Sequence, residues 1–152
     1  MKKFRLKFKY LPPPGFRKKP FPRGVRLYPL LPLKLSFKEN KTPYIEGLLD
    51  SGSDGLLIPK NIAIFLELPD LGVAKSSGVG GKFKGHRTQV ELKIGRGGRE
   101  INFGLVNAIV PDEEQDIPIL IGRNPVFDEF QVIFEEFNKT IHLIPKEKPL
   151  KF

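Results

Sequence analysis

Apolar and polar residues alternate over short stretches through most of this chain, which is the period of a β-strand that buries one face. Between residues 4 and 10, aromatic and leucine side chains alternate with lysine and arginine, so this strand would have one basic face. Further strand-length stretches occur at residues 25–37, 44–49, 89–94, 100–109, 117–121, 131–134 and 140–144. Many short strands joined by turns predict a mostly β, barrel-like domain.

Two segments have the signals of short helices. Residues 61–68 lie between Pro59 and Pro69, and proline is tolerated near a helix start but ends a helix. A second helix is predicted to begin at Asn124. Asparagine caps helices, proline fits the first helical position, and the acids that follow favour the positive end of the helix dipole.

The net charge of +9 is unevenly distributed along the chain. Residues 1–26 contain ten of the 26 basic residues and no acid, whereas the remainder has 16 basic and 17 acidic groups. Prolines and glycines follow the first predicted strand, so we expect a basic strand and then an extended connector. Ten cations allow nucleic-acid binding through phosphate contacts, with Phe4, Phe8 and Tyr10 available for base stacking, although no recognised nucleic-acid motif is present.

Composition argues against several kinds of site. The chain has no cysteine and only two histidines, so we expect no disulfide, no metal and no cofactor. No stretch reaches the roughly 18 to 20 apolar residues that span a bilayer, and basic residues interrupt the apolar ones at the start. Cytoplasmic residence without membrane contact is therefore the expectation. One methionine, three glutamines and fifteen prolines favour a thermostable protein.

The triplet Asp50-Ser51-Gly52 lies between the apolar residues 47–49 and 56–58. A carboxylate in such a setting is costly unless it is paired or hydrogen-bonded. The aspartate can act as a general base toward water, the serine hydroxyl can fix it, and the glycine leaves room for a substrate. The same triplet also forms ordinary turns, which is the alternative interpretation.

One carboxylate cannot supply both a general base and a general acid. Two carboxylates a few ångströms apart cannot both ionise easily, so they share one proton. The chain has no second Asp-Ser-Gly or Asp-Thr-Gly. If Asp50 is catalytic, the second carboxylate must come from another copy of the chain, across a two-fold axis.

Three stretches resemble the retroviral-type aspartic proteases, or retropepsins, in order and in spacing. They are LLDSGSDGLLIP (48–59), SGVGGKFKGHRTQVELKI (77–94) and IPILIGRN (117–124). The resemblance covers about residues 27–145, which leaves a basic, proline-rich arm (1–26) and a tail (146–152). It implies a mostly β, closed barrel-like retropepsin (acid protease) fold with one or two short helices and a flap hairpin. It also implies a homodimer, and a sheet made from chain termini often ties such dimers together.

The resemblance assigns roles by position. Asp50 matches the catalytic aspartate, Ser51 the hydroxyl that interlocks with its mate in the other subunit, and Gly52 the glycine whose carbonyl faces the substrate backbone. Asp54 matches an acid that pairs with the arginine after the late glycine, here Arg123. The residues that match the flap and the lining of the cleft are Gly78, Val79, Gly80, Gly81, Pro118 and Leu120.

The implied activity is that of an aspartic endopeptidase. Water activated between the two Asp50 residues of a homodimer would hydrolyse a peptide or protein substrate bound in an extended conformation. Cleavage between apolar residues, at acid to mildly acid pH, is the expectation. Two alternatives stay open: a peptide-binding module of the same fold without activity, and nucleic-acid binding through the basic arm.

Overall fold

The computed structural model describes residues 5–78, 81–114 and 116–146. Within these ranges the chain forms eleven strands and two short helices. The elements are β1 (Leu6–Lys9), β2 (Leu30–Phe37), β3 (Asn40–Lys41), β4 (Ile45–Leu49), β5 (Leu56–Leu57), α1 (Lys60–Leu66), β6 (Val73–Gly78), β7 (Gly81–Arg96), β8 (Arg99–Pro111), β9 (Ile119–Ile121), α2 (Arg123–Phe127), β10 (Phe130–Glu135) and β11 (Thr140–Pro145). The mostly β class predicted from the alternation is confirmed.

Six of these strands close into a barrel. The order is β2, β4, β9, β5, β8 and β7, and β7 pairs with β2 to complete the ring. The closing pair is antiparallel, with Leu33 opposite Ile94 and Leu35 opposite Leu92. Because a closed sheet has no unpaired edge within the ring, the backbone groups of these strands are satisfied by their neighbours. The barrel-like fold class expected from the sequence is therefore confirmed.

The barrel interior is filled by alternate side chains of the long strands. Leu31, Leu33 and Leu35 of β2 are fully buried, and the same spacing of two residues holds for the buried residues of β7. Successive side chains on a strand point to opposite faces, so this alternation gives each strand one core face. The period of two in the sequence thus indicates which side chains of these strands enter the core.

A second, three-stranded sheet, in the order β1, β11, β10, shares one hydrophobic core with the barrel. Leu6 lies opposite Leu143 and contributes to the same hydrophobic core as Ile141 and Phe130. The ring of Phe130 packs edge-on against Phe103 of β8, with 5.9 Å between the ring centroids. The basic strand predicted at the start of the chain is therefore present. It pairs with β11, the last strand of the chain.

The proline-rich connector after β1 is held against β4 by an ion pair. Arg17 donates two hydrogen bonds to the carboxylate of Glu46, at 2.7 and 2.5 Å, and its Nε donates to the Pro12 carbonyl. Both side chains are partly shielded from water, at 33% and 18% exposure. A bidentate pair in this setting is stronger than an ordinary surface ion pair. It fixes the connector to the strand that leads into Asp50.

Both predicted helices are present, and the first is one residue shorter than predicted. The first ends at Leu66, and Glu67 follows in the left-handed region with φ of 54°. In the second, a π-helical turn, Asn124 keeps extended dihedral angles of −99° and 126°. Helical geometry therefore begins at Pro125, as its preference for the first helical position predicts. Neither helix is long enough to cross a bilayer, and the described ranges contain no other helix that is.

We expect Leu33→Ala to destabilise the barrel far more than Leu105→Ala. Leu33 is fully buried at the strand pair that closes the ring, whereas Leu105 is 54% exposed on β8. Removing a buried leucine side chain costs about 2 to 5 kcal/mol, and a surface substitution stays within about 0.5 kcal/mol. Chemical denaturation of both variants measures the difference. Equal loss of unfolding free energy in the two variants would contradict this description of the core.

Candidate active site

Asp50 is the first residue after β4, at the point where this strand lies parallel to β9. Leu49 is paired with Ile121, and the backbone N–H of Asp50 donates to the Ile121 carbonyl at 2.9 Å. The N–H of Leu49 donates to the Pro29 carbonyl at 3.1 Å. Two separate segments therefore fix the backbone at the aspartate. Asp50 is half-buried, as the apolar residues on either side of it in the sequence would lead one to expect.

The loop that follows closes onto the Asp50 side chain. The N–H of Gly52 donates to Asp50 Oδ1 at 2.9 Å, and the N–H of Ser53 donates to the Asp50 carbonyl at 3.1 Å. A Cβ at position 52 would lie 3.2 Å from Oδ1, so the Asp50 carboxylate would have to shift by a few tenths of an ångström. One carboxylate oxygen is thus oriented by the backbone, while Ser51 and Gly52 themselves are exposed. The arrangement presents an oriented carboxylate at an accessible surface.

A second segment, residues 121–124, packs against this loop and forms backbone hydrogen bonds with it. Arg123 and Asn124 donate their backbone N–H groups to the carbonyls of Ser53 and Asp54, at 2.9 and 3.0 Å. Between these contacts, Gly122 lies so close to the loop that an added Cβ would be 2.4 Å from the Ser53 carbonyl oxygen and 2.5 Å from that of Gly55. Only glycine allows this approach of the two backbones.

The structure brings Asp54 and Arg123 together, as the resemblance implies. The guanidinium Nη2 lies 3.5 Å from Asp54 Oδ1, but the two side chains are 94% and 58% exposed. Exposed pairs contribute little to stability because water screens them. The Nε of Arg123 also donates to the Ser51 carbonyl at 3.1 Å. The Arg123 side chain therefore contacts the loop at two points, the backbone carbonyl of Ser51 and the carboxylate of Asp54.

The glycine-rich stretch predicted as a flap forms a hairpin between β6 and β7. Its strands pair in register from Val73 opposite His86 to Gly78 opposite Gly81. Within the predicted tip, residues 77–81, Val79 and Gly80 lie outside the described residues. The role of this hairpin as a flap stays a prediction.

The predicted lining residues lie on or beside β9. Leu120 is half-buried and is paired with Leu48 and Leu57, while Pro118 is exposed just before the strand. By contrast, Leu56 and Ile58 are almost completely buried in the core. Of residues 56–58, which follow the triplet, only Leu57 is half-buried.

A groove of about 380 Å³ lies beside the loop, where Asp54 forms part of its rim. The hydroxyl of Thr88 lies at this groove, is buried, and makes no hydrogen bond to any described residue. The groove residues that the sequence interpretation did not identify are Leu71, Arg87, Thr88, Asn107, Ala108 and Ile109. They come from β7, β8 and the segment before β6, and only the pairing of these strands places them together. The alternation of apolar and polar residues shows which face of the sheet a side chain lies on. It does not show which residue of the adjacent strand lies beside it.

No protein-family model and no curated protein matches this sequence. Among solved structures, the chain is similar to a retropepsin-like aspartic protease from Rickettsia conorii, with a TM-score of 0.54 and 13% sequence identity. The match covers 94% of this chain and 96% of that chain. At this identity the likeness establishes the fold, and the retropepsin-like fold expected from the three motifs is confirmed.

Gly122→Ala should disrupt the support of the Asp50 loop, whereas Gly98→Ala should be tolerated. A methyl group at 122 meets backbone oxygens, which cannot move without separating β9 from the loop, while nothing lies within 4 Å of a Cβ at 98. We expect Gly122→Ala to cost about 1 to 3 kcal/mol or more, and Gly98→Ala to change stability by less than about 0.5 kcal/mol. Thermal and chemical unfolding measure both. A stable Gly122→Ala protein would show that the two backbones are not in close contact.

Proposed function

We propose that this protein is an aspartic endopeptidase that acts as a homodimer, with one Asp50 from each chain. The observation that carries the proposal is the position of Asp50. It is the first residue of an Asp-Ser-Gly loop at the end of β4, with its carboxylate oriented by the Gly52 N–H, in a retropepsin-like fold. The hydrogen bond from Gly52 by itself is that of an ordinary Asx turn, as at Asp70 and Gly72. What favours a general base is the place of this half-buried carboxylate at the end of a strand in a retropepsin-like fold.

The reaction needs two carboxylates that share one proton. The ionised Asp50 of one chain takes a proton from water as the water oxygen attacks the scissile carbonyl carbon. The protonated Asp50 of the partner donates a hydrogen bond, and then its proton, to the carbonyl oxygen. Collapse of the resulting tetrahedral intermediate breaks the C–N bond, and the amine leaves with a proton from the dyad. No covalent intermediate with the enzyme forms, because water itself is the nucleophile.

The residues around Asp50 have supporting roles in this proposal. The Ser51 hydroxyl would contact its counterpart in the partner and hold the two loops together. Gly52 is an exposed residue, and its carbonyl would accept a hydrogen bond from the substrate backbone. Asp54 and Arg123 would keep the loop in position, since Arg123 contacts both Ser51 and Asp54. In this proposal these residues position the loop and the substrate, and only Asp50 transfers protons.

The substrate would be a peptide in an extended conformation. A strand-like peptide can lie between the β6–β7 hairpin and the loop that contains Asp50. It can form main-chain hydrogen bonds with both, as in other cases of strand addition. The half-buried Leu57 and Leu120 and the exposed Pro118 offer apolar contacts. These contacts favour cleavage next to apolar side chains, and the groove beside Asp54 would take a further side chain of the same peptide.

Asp50→Asn should abolish peptide hydrolysis, whereas Asp112→Asn should not. The amide cannot accept a proton from water, so turnover should fall by about 10²- to 10⁴-fold or to background. Asp112 undergoes the same chemical change at an exposed position after β8. A mixed peptide library, digested over a series of pH values and read by mass spectrometry, measures the activity. Equal turnover by the wild type and Asp50→Asn at every pH would exclude this mechanism.

Excess Asp50→Asn protein should inhibit the wild type. If chains exchange between dimers, nine mutant chains for each wild-type chain reduce the activity per wild-type chain to about a tenth, because wild-type chains then pair with mutant ones. The Asp112→Asn protein at the same excess is the control and should not inhibit. Activity that is unchanged by excess Asp50→Asn would show that one chain suffices.

A further inference from the structure

Asp54 is followed directly by Gly55, and the sequence contains no other Asp-Gly pair and no Asn-Gly pair. An aspartate in this position can react with its own backbone, because the nitrogen of the next residue can attack the side-chain carboxyl carbon. A five-membered succinimide ring results, and water opens it to aspartate or to isoaspartate. Glycine permits this best, since it has no side chain beside the attacking nitrogen and restricts the backbone least.

The Asp54 side chain is free to turn toward that nitrogen. It is 94% exposed, and its carboxylate accepts no hydrogen bond from any residue that the structure describes. The ion pair with Arg123, at 3.5 Å, is itself exposed, and water weakens such pairs. By contrast, Asp50 and Asp70 each accept a hydrogen bond from the N–H two residues later, at 2.9 and 3.0 Å.

The attacking nitrogen belongs to Gly55, which is half-buried. Within the described part of the chain, its N–H donates no hydrogen bond. The Asp54 carbonyl, on the other side of the same peptide group, accepts the N–H of Asn124 at 3.0 Å. Ring closure turns this peptide group, so the hydrogen bond to Asn124 must open first. Local opening of an exposed loop therefore limits the reaction, and such openings cost little free energy.

We propose that Asp54 is a site of spontaneous modification, at which aspartate converts to isoaspartate through a succinimide. In the first step, a bond forms between the Gly55 nitrogen and Asp54 Cγ. The C–OH bond of the protonated carboxyl group breaks, and one water molecule leaves with the amide proton. In the second step, water adds to one of the two ring carbonyls. Addition at Cγ restores aspartate, whereas addition at the former backbone carbonyl breaks its bond to the Gly55 nitrogen and gives isoaspartate.

Isoaspartate at this position alters the loop that holds Asp50. The main chain gains one carbon atom, and the former backbone carbonyl becomes a carboxylate. The carbonyl oxygens of Ser53 and Gly55, on either side of the modified residue, lie 2.4 and 2.5 Å from the position of an added Cβ at Gly122. A longer chain between them cannot keep both close contacts, so the loop should move away from residue 122. This inference does not depend on the proposed function.

Incubation of the full-length protein in water enriched in a heavy oxygen isotope tests the proposal. Opening of the ring inserts one heavy oxygen at the residue that reacted. Trypsin then releases residues 42–60 as one peptide that contains both Asp50 and Asp54, and fragment ions in mass spectrometry distinguish the two. We expect label and isoaspartate to accumulate at Asp54, within about tenfold of the rate in a free synthetic peptide of residues 42–60. Asp50 should gain far less label.

Gly55→Ala and Gly98→Ala form a matched pair for this experiment. A Cβ at 55 would be in ordinary contact with the Asn124 carbonyl oxygen, at 3.5 Å, and nothing lies within 4 Å of a Cβ at 98. Both proteins should therefore fold, which thermal unfolding checks. We expect Gly55→Ala to suppress labelling at Asp54, because its methyl group hinders the attacking nitrogen, and Gly98→Ala to leave the rate unchanged.

Two results would overturn the proposal. One is equal labelling at Asp54 in the two variants. The other is label in the free peptide but none at Asp54 in the folded protein, and this comparison decides the matter even if Gly55→Ala is unstable. Peptidase activity is not measured, so the outcome is independent of whether the protein cleaves peptides.

Discussion

The close contact between Gly122 and the loop after β4 is the constraint on which the arrangement around Asp50 depends. Two backbones meet there with no room for a side chain, and three backbone hydrogen bonds, from residues 50, 123 and 124, run between the segments. The same contact joins β4 to β9 within the barrel and sets the start of α2, from which the chain enters β10. The position of the carboxylate, the pairing of β4 with β9 and the start of α2 thus meet at one glycine.

Much of this organisation could be predicted from local patterns. Alternation located the strands because the side-chain period of a strand is two, and Asn124-Pro125 marked a helix start because proline is suited to the first helical position. The Asp-Ser-Gly triplet and the late Gly-Arg-Asn were recognisable because close backbone contacts permit few residue types. Gly122 is such a position: its sequence neighbours gave the motif, and the structure gives the steric reason.

Other features could not be predicted, because they depend on strand register and on residues far apart in the chain. The pairing of β2 with β7 and the ion pair of Arg17 with Glu46 each join segments that no local pattern links. His142 illustrates the difficulty. Within β11 it is one polar residue in an apolar run, and only the pairing with β1 places Lys7 opposite it.

The pairing of β1 with β11 has a mechanical consequence. The two strands are antiparallel, with Leu6 opposite Leu143 and Lys9 opposite Thr140, so residues 5 and 146 leave the sheet at the same end. A force that separates these two positions would load the hydrogen bonds of the pair one after another, as in opening a zipper, and not all at once as in shear. The barrel, in contrast, lies behind this pair and would carry load only after β1 has peeled away.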